Sequence, residues 1–181
     1  MIHEVAQMLV DAILGWGYVG IFILMSIESS FIPFPSEIVL IPAGYLVFGG
    51  EMNSVFVLLF SLCGSLFGAL INYYLALYVG RNFLQKYGKY FFISESALVK
   101  MDHYFENHGE ISTFTGRLIP GVRQLISIPA GLAKMNMKHF LTFTAIGSLL
   151  WSSILVVLGY FLGDNQELIH KYLQEITVAM L

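Results

Sequence analysis

The sequence predicts an all-α integral membrane protein, in which a re-entrant helical hairpin followed by a transmembrane helix occurs twice as an inverted repeat. Hydrophobic residues make up 57% of the 181 residues and charged residues only 12%, whereas soluble domains carry about 25% charged residues. Two long segments carry no charge, and a proline-broken apolar segment precedes each of them. We expect a single membrane domain over residues 1–181, with amphipathic helices at the N-terminus, in the middle and at the C-terminus.

The N-terminal region predicts an amphipathic helix that leads into an apolar one. Residues 12–27 carry no charge between Asp11 and Glu28. They can cross a bilayer if the flanking polar side chains reach the interface, and the sequence leaves open whether they do. Because no basic segment precedes this stretch and no small-residue cleavage site follows it, we expect no cleaved signal peptide.

Residues 52–80 and 140–163 are uncharged throughout and predict two transmembrane helices. A helix needs roughly 20 apolar residues to cross the hydrocarbon core, and both segments exceed that length. The preceding apolar stretches are interrupted, and we expect breaks at Pro33, Pro35, Pro42 and Gly44 in the first and at Pro120, Pro129 and Gly131 in the second. Proline removes a backbone donor and clashes with the preceding turn, so each stretch predicts a hairpin that returns to its own side.

These segments divide the chain into two similar parts. Residues 28–80 form the first hairpin and span, and residues 111–163 form the second. Residues 81–110 are a polar, amphipathic connector, in which Ser94 is expected to cap a short helix that ends at Gly109. Residues 164–181 are an amphipathic tail.

An internal repeat links the two parts. Ile32-Pro33 and Ile41-Pro42-Ala43-Gly44 recur 87 positions later as Ile119-Pro120 and Ile128-Pro129-Ala130-Gly131, and Gly64-Ser65-Leu66 recurs 83 positions later as Gly147-Ser148-Leu149. Cations follow the first span at Arg81, Lys86 and Lys89 and precede the second at Lys134 and Lys138. Since Lys and Arg are enriched in cytoplasmic loops, the two halves are predicted to run in opposite directions, which is typical of transporters with a site near the midplane.

Four charged residues lie inside the broken stretches: Glu28, Glu37, Arg117 and Arg123. Each charge at the bilayer centre costs roughly 2.5–3.5 kcal/mol on insertion scales, so the four must pair or line a wet cavity. They could serve only as ion pairs that join the hairpins, and Glu37, next to Ser36, also favours a helix start. We favour a functional role, because apolar packing would join hairpins without burying charge, and arginine binds phosphate bidentately.

Other residues are weaker candidates. Asn72, in the first span, is more simply explained by an interhelical hydrogen bond, and Trp151 by packing. The five histidines show no metal-ligand spacing, and neither a nucleophile elbow nor a glycine-rich phosphate loop is present. We therefore expect no metal, no cofactor and no enzymatic activity. The net charge of −3 gives no indication of nucleic-acid binding.

Two blocks of sequence resemble the DedA family, whose members carry a VTT (SNARE-associated Golgi-type) domain. Residues 28–37 read Glu-Ser-Ser-Phe-Ile-Pro-Phe-Pro-Ser-Glu, and residues 116–123 read Gly-Arg-Leu-Ile-Pro-Gly-Val-Arg. The likeness continues through Ser127-Ile128-Pro129-Ala130-Gly131 and Met135 to Gly147-Ser148-Leu149-Leu150-Trp151. The resemblance implies a multi-pass protein of the bacterial inner membrane that translocates phospholipids or a polyprenyl phosphate, coupled to the proton motive force.

By position, Glu28 and Glu37 match the family's essential acidic residues, and Arg117 and Arg123 match its essential arginines. The leading hypothesis is a flippase that moves an anionic lipid head group, with membrane lipids and protons as its partners. A small-ion or proton antiporter would use the same charges. A membrane phosphatase or lipid transferase is less favoured, because neither hairpin contains a histidine. The sequence leaves the lipid, the direction of transport and any homo-oligomer open.

Overall fold

The computed structural model describes residues 2–30, 35–80 and 95–163, and the regular elements in these ranges are all helices. They are α1 (Ile2–Glu28), α2 (Glu37–Phe48), α3 (Ser54–Leu75), α4 (Glu95–Leu118), α5 (Val122–Leu125), α6 (Ser127–Leu132) and α7 (Met137–Leu162). A π-helical turn, Ala76–Gly80, prolongs α3. The all-α prediction is confirmed. Pro33, the connector up to Ser94 and the tail from residue 164 lie outside the described residues.

The two predicted spans are the long apolar helices of the fold. Ser54–Gly80 and Met137–Leu162 have mean hydropathies of 2.3 and 2.0, and both are long and apolar enough to cross a membrane. An asparagine caps each of them: Asn53 accepts a hydrogen bond from the Val55 amide and Asn136 from the Lys138 amide, both at 2.9 Å. These caps satisfy amides that the helix itself leaves unpaired.

Helix α1 covers both the predicted N-terminal helix and the apolar stretch 12–27, and its one break lies within that stretch. It is continuous from Ile2 to Glu28 except for Gly17, whose φ of 57° and ψ of −139° interrupt the helical backbone. Only glycine adopts such a conformation readily. The kink lies inside the apolar stretch that leads to Glu28.

The predicted breaks are right in part. Pro35 lies in the interval between α1 and α2, and Pro120 lies in the turn between α4 and α5, where Gly121 has a φ of 78°. Pro42 and Gly44 were expected to break the first stretch but lie inside α2, and Pro129 and Gly131 lie inside α6. Pro129 lies in the first turn of α6, where its missing N–H costs no bond within that helix, whereas Pro42 is the sixth residue of α2 and removes the bond to the Ile38 carbonyl.

Helix α4 also departs from the expectation. It continues through Gly109 to Leu118, so the expected stop at Gly109 is wrong and the boundary expected at residues 110–111 falls inside one helix. At Gly109 an added Cβ would lie 3.2 Å from the sulfur of Met135 and 3.3 Å from the ring of Phe105. This glycine therefore provides space for a neighbouring side chain, and the sequence pattern alone does not distinguish that role from a helix end.

The broken segment of each half packs against the long helix of the other half. A Cβ on Gly44 of α2 would meet the Val156 carbonyl oxygen and Gly159 of α7, and a Cβ on Gly131 of α6 would meet the Tyr73 carbonyl oxygen and Ala76. Tyr73 and Ala76 stand 83 positions before Val156 and Gly159, the offset of the second sequence repeat. The helix contacts thus follow the spacing of the repeat.

Candidate functional site

The four charged residues of the broken stretches lie together. Glu28 ends α1, Glu37 begins α2, Arg117 lies in the last turn of α4 and Arg123 lies in α5. A guanidinium nitrogen of Arg123, Nη2, is 2.8 Å from Oε1 of Glu28 and 3.6 Å from Oε2 of Glu37. We call these four residues the charge cluster.

The charge cluster is almost entirely shielded. Glu28 and Arg117 are 3% exposed and Arg123 is 5% exposed, while the side chain of Glu37 keeps 19% exposure. Glu28 also accepts a hydrogen bond from the Ser29 hydroxyl at 3.0 Å. A buried charge is tolerated when it is paired and hydrogen-bonded. Glu28 and Arg123 pair with each other, but Glu28 Oε1 and Arg123 Nε have no hydrogen-bond partner among the described residues. Glu37 is the one member of the cluster with substantial access from outside.

Arg117 is bound differently from Arg123. Its Nη2 donates to the hydroxyl of Ser127 at 2.8 Å. Its Nε, like that of Arg123, has no hydrogen-bond partner among the described residues. Among the described residues, no carboxylate lies within 4.0 Å of this guanidinium. Arginine carries five N–H donors and favours planar anions such as phosphate. Arg117 therefore holds a buried positive charge whose donors are largely unused.

Asn72 of α3 joins the two broken stretches. Its side-chain amide donates to the Ser29 carbonyl oxygen at 3.2 Å and to the Gln124 carbonyl oxygen at 3.1 Å. These two residues are the chain neighbours of Glu28 and Arg123, so Asn72 fixes the backbone on both sides of that ion pair. The interhelical hydrogen bond proposed from the sequence is thus present, and it supports the charge cluster.

Trp151 contacts the charge cluster directly, which the sequence alone does not indicate. The guanidinium carbon of Arg123 lies 5.0 Å from the centre of the indole ring, and the indole N–H donates to the Ser36 hydroxyl at 3.2 Å. The signal available in the sequence is weak: Ser148 and Ser152 share the polar face of α7 on which Trp151 stands. An expectation of simple packing therefore missed a cation–π partner.

A cavity of about 10 Å³ lies against three members of the charge cluster, Glu28, Arg117 and Arg123. The cavity is also lined by Met25, Ser65, Ser148 and Ser152. A single water needs roughly 10–15 Å³ measured in this way. The site therefore holds one water at most, and a phosphate can enter only if part of the wall moves.

The described histidines lie away from this site. His108 and His139 line a separate surface depression of about 560 Å³, where His139 pairs with the carboxylate of Glu110. Within residues 2–30, 35–80 and 95–163, no three His, Cys, Asp or Glu side chains are grouped as they would be to bind a metal ion.

Comparisons with known proteins find one family and several membrane-protein relatives. Residues 34–161 match the VTT domain family. The chain is 41% identical over 184 residues to the membrane protein YkoX of Bacillus subtilis, covering 99% of this chain and 81% of that protein. It is 37% identical over 163 residues to undecaprenyl phosphate transporter A of Bacillus subtilis, covering 88% and 80%. It is also 35% identical over 168 residues to an alkaline phosphatase-like protein of Lactococcus lactis, covering 90% and 78%. No solved structure matches the chain.

Proposed function

The chain belongs to the VTT domain family, and on this basis and that of the charge cluster we propose that it is a lipid flippase of the bacterial cytoplasmic membrane. Its substrate class is an anionic lipid head group, that of a polyprenyl phosphate or a phospholipid. The observation that carries the proposal is the pair of buried arginines, of which Arg117 has no carboxylate partner among the described residues. A relative that is 37% identical is named as an undecaprenyl phosphate transporter.

The proposed cycle exchanges one anion for another. In the structure two carboxylates occupy the guanidinium of Arg123, so this arginine is neutralised while the site is closed. An entering phosphate would bind Arg117 first and then replace a carboxylate at Arg123. Protonation of Glu28 or Glu37 removes a negative charge that competes with the phosphate for Arg123. Because proton binding and phosphate binding are then coupled, a proton gradient can bias the exchange.

We also propose that the two halves form an inverted repeat, with hairpins that enter from opposite membrane faces. Two observations support this. The contacts of Gly44 and Gly131 follow the repeat spacing, and the enrichment of Lys and Arg in cytoplasmic loops predicts that Lys86 and Lys138 are on one side. In such an arrangement the charge cluster lies near the midplane, where broken helices meet.

A lipid substrate fits the small size of the protein. The hydrocarbon tail of a lipid stays in the bilayer while the head group crosses, so the protein needs a polar route for one anionic group. Two long helices and two broken segments can provide a groove open to lipid, which is simpler than an enclosed chamber for a whole solute. The apolar side chains exposed on α3 and α7, among them Phe67 and Ile154, suit contact with lipid tails.

Two alternatives use the same residues. A small-ion or proton antiporter would exchange protons at the two carboxylates without moving lipid. A membrane phosphatase or lipid transferase would bind the phosphate at the arginines and cleave it, and one 35% identical relative carries the name alkaline phosphatase-like protein.

Reconstitution tests all three functions in one preparation. Purified protein in liposomes receives labelled polyprenyl phosphate, phosphatidylglycerol or the neutral polyprenol, while released phosphate and internal pH are followed. The proposal predicts faster crossing of the phosphorylated lipids, no phosphate release, and no faster crossing of polyprenol. Phosphate release would instead establish the enzyme. Proton flux driven by a small ion without lipid movement would establish the antiporter.

A further inference from the structure

Any anion that reaches the charge cluster must first displace part of its wall, because the cavity holds about 10 Å³. Glu37, which pairs with Arg123 but does not line the cavity, keeps 19% side-chain exposure. Trp151, which is partly exposed, lines the cavity and donates a hydrogen bond to Ser36, the chain neighbour of Glu37. The other members of the charge cluster are at most 6% exposed, so Trp151 and Glu37 are the two residues next to Arg123 with the most access from outside.

Trp151 makes two contacts that join different elements at this point. Its ring faces the guanidinium of Arg123 in α5, and its N–H binds the hydroxyl of Ser36, which immediately precedes α2. The first contact fixes the plane of the guanidinium and so favours the orientation that faces Glu28 and Glu37. The second holds the start of α2, and with it Glu37, against α7.

We propose that Trp151 is a positioning residue for Arg123 and that its bond to Ser36 is a latch that closes the site. The inference rests on the proposed function, because it assigns the step that admits the phosphate. When a phosphate binds Arg123, the start of α2 moves away from α7 and the Trp151–Ser36 hydrogen bond breaks. Binding therefore competes with the latch, and weakening the latch strengthens binding.

The latch predicts an unusual result for two small substitutions. Ser36→Ala and Trp151→Phe each remove the same neutral hydrogen bond, and Trp151→Phe keeps an aromatic ring beside Arg123. Each should lower the concentration of polyprenyl phosphate at half-maximal transport by about two- to tenfold. The double variant should show no further change, since both substitutions remove one interaction. If the hydrogen bond only stabilised the fold, each single variant would bind polyprenyl phosphate more weakly, and the double variant would show the sum of the two losses in binding. Either result would overturn the latch.

Tryptophan fluorescence tests the contacts without relying on transport. The chain has two tryptophans, and Trp16 on α1 is 60% exposed. The Trp16→Phe variant therefore leaves Trp151 as the only fluorescent tryptophan. This variant is the reference with which the further substitutions are compared. In that background Ser36→Ala and Arg123→Gln should each shift the Trp151 emission. Polyprenyl phosphate in detergent micelles should shift it too, and polyprenol should not.

The outcomes separate the inference from the function. If neither substitution moves the Trp151 emission, the positioning role is wrong. If the substitutions move it but no phosphorylated lipid binds or crosses, the contacts stand and the flippase function is wrong. If lipid crosses while the emission stays constant and Ser36→Ala leaves half-saturation unchanged, the flippase stands and the latch is wrong.

Discussion

At the scale of single residues, the two buried arginines differ in what their removal leaves behind. Without Arg123, Glu28 loses the cation 2.8 Å away and remains a shielded carboxylate. Without Arg117, the Ser127 hydroxyl loses a hydrogen bond and the Glu28–Arg123 pair stays intact. Removal of Arg123 therefore affects both the stability of the fold and phosphate binding, whereas removal of Arg117 affects mainly phosphate binding.

This difference makes a prediction for alanine variants. Arg123→Ala should destabilise the protein by roughly 3–5 kcal/mol, because an uncompensated charge stays buried. Arg117→Ala should cost about 1–3 kcal/mol, the penalty of an unpaired polar group. Both should abolish lipid transport while the protein stays in the membrane. Thermal unfolding in detergent beside transport checks this, and transport by either variant at the wild-type rate refutes the site.

A paired substitution tests whether the ion pair merely joins the broken stretches. Glu28→Gln together with Arg123→Gln removes both charges and can keep a hydrogen bond, so stability should recover to within about 1–2 kcal/mol of wild type. Transport should stay at the protein-free rate. If the double variant regains both stability and transport, the charges serve only to hold the fold together.

At the scale of helices, the sequence predicts what local chemistry determines and misses what distant contacts determine. Uncharged length identifies α3 and α7, and the turn at Pro120 follows from proline and a glycine with positive φ. Pro42 and Gly109 were misread because their surroundings come from other helices. A glycine that admits a neighbour looks the same in sequence as a glycine that ends a helix.

Glycine contacts between helices give a prediction with an internal control. A Cβ on Gly44 or Gly131 would meet a backbone carbonyl oxygen of the opposing long helix, which cannot move aside as a side chain can. Gly44→Ala and Gly131→Ala should each destabilise by about 1–3 kcal/mol. Gly15→Ala, where nothing lies within 4 Å, should be neutral or stabilising by up to about 1 kcal/mol. Equal stabilities for the three variants would contradict the packing described here.

At the scale of the whole molecule, the cost of burying charge in apolar stretches made the charge cluster predictable. Four charged residues in apolar stretches had to find one another, and Glu28, Glu37 and Arg123 do. The supporting roles of Asn72 and Trp151 were less accessible, because each depends on which side chain a separate helix presents. Sequence identifies the groups that are expensive to bury, and the structure identifies those that hold them in place.

The inverted repeat predicts the sides to which three positions are exposed. The single cysteine, Cys63, is exposed on α3 and is replaced by serine before new cysteines are introduced. Cysteines at Glu51 and Lys86 should react with an impermeant reagent from opposite sides. Cysteines at Lys86 and Lys138 should react from the same, cytoplasmic side. If Lys86 and Lys138 react from different sides, the second broken stretch crosses the membrane and the inverted repeat is wrong.

The central claim is that the buried arginines carry a lipid phosphate across the membrane. The most direct measurement is the leaflet accessibility of labelled polyprenyl phosphate and phospholipids in liposomes containing wild-type protein or Arg117→Ala, with and without a pH gradient. We predict that wild-type protein accelerates crossing of at least one phosphorylated lipid, that the gradient shifts its leaflet distribution, and that Arg117→Ala matches protein-free vesicles. Equal rates in protein-free and wild-type vesicles for all these lipids would contradict the account and favour the ion antiporter.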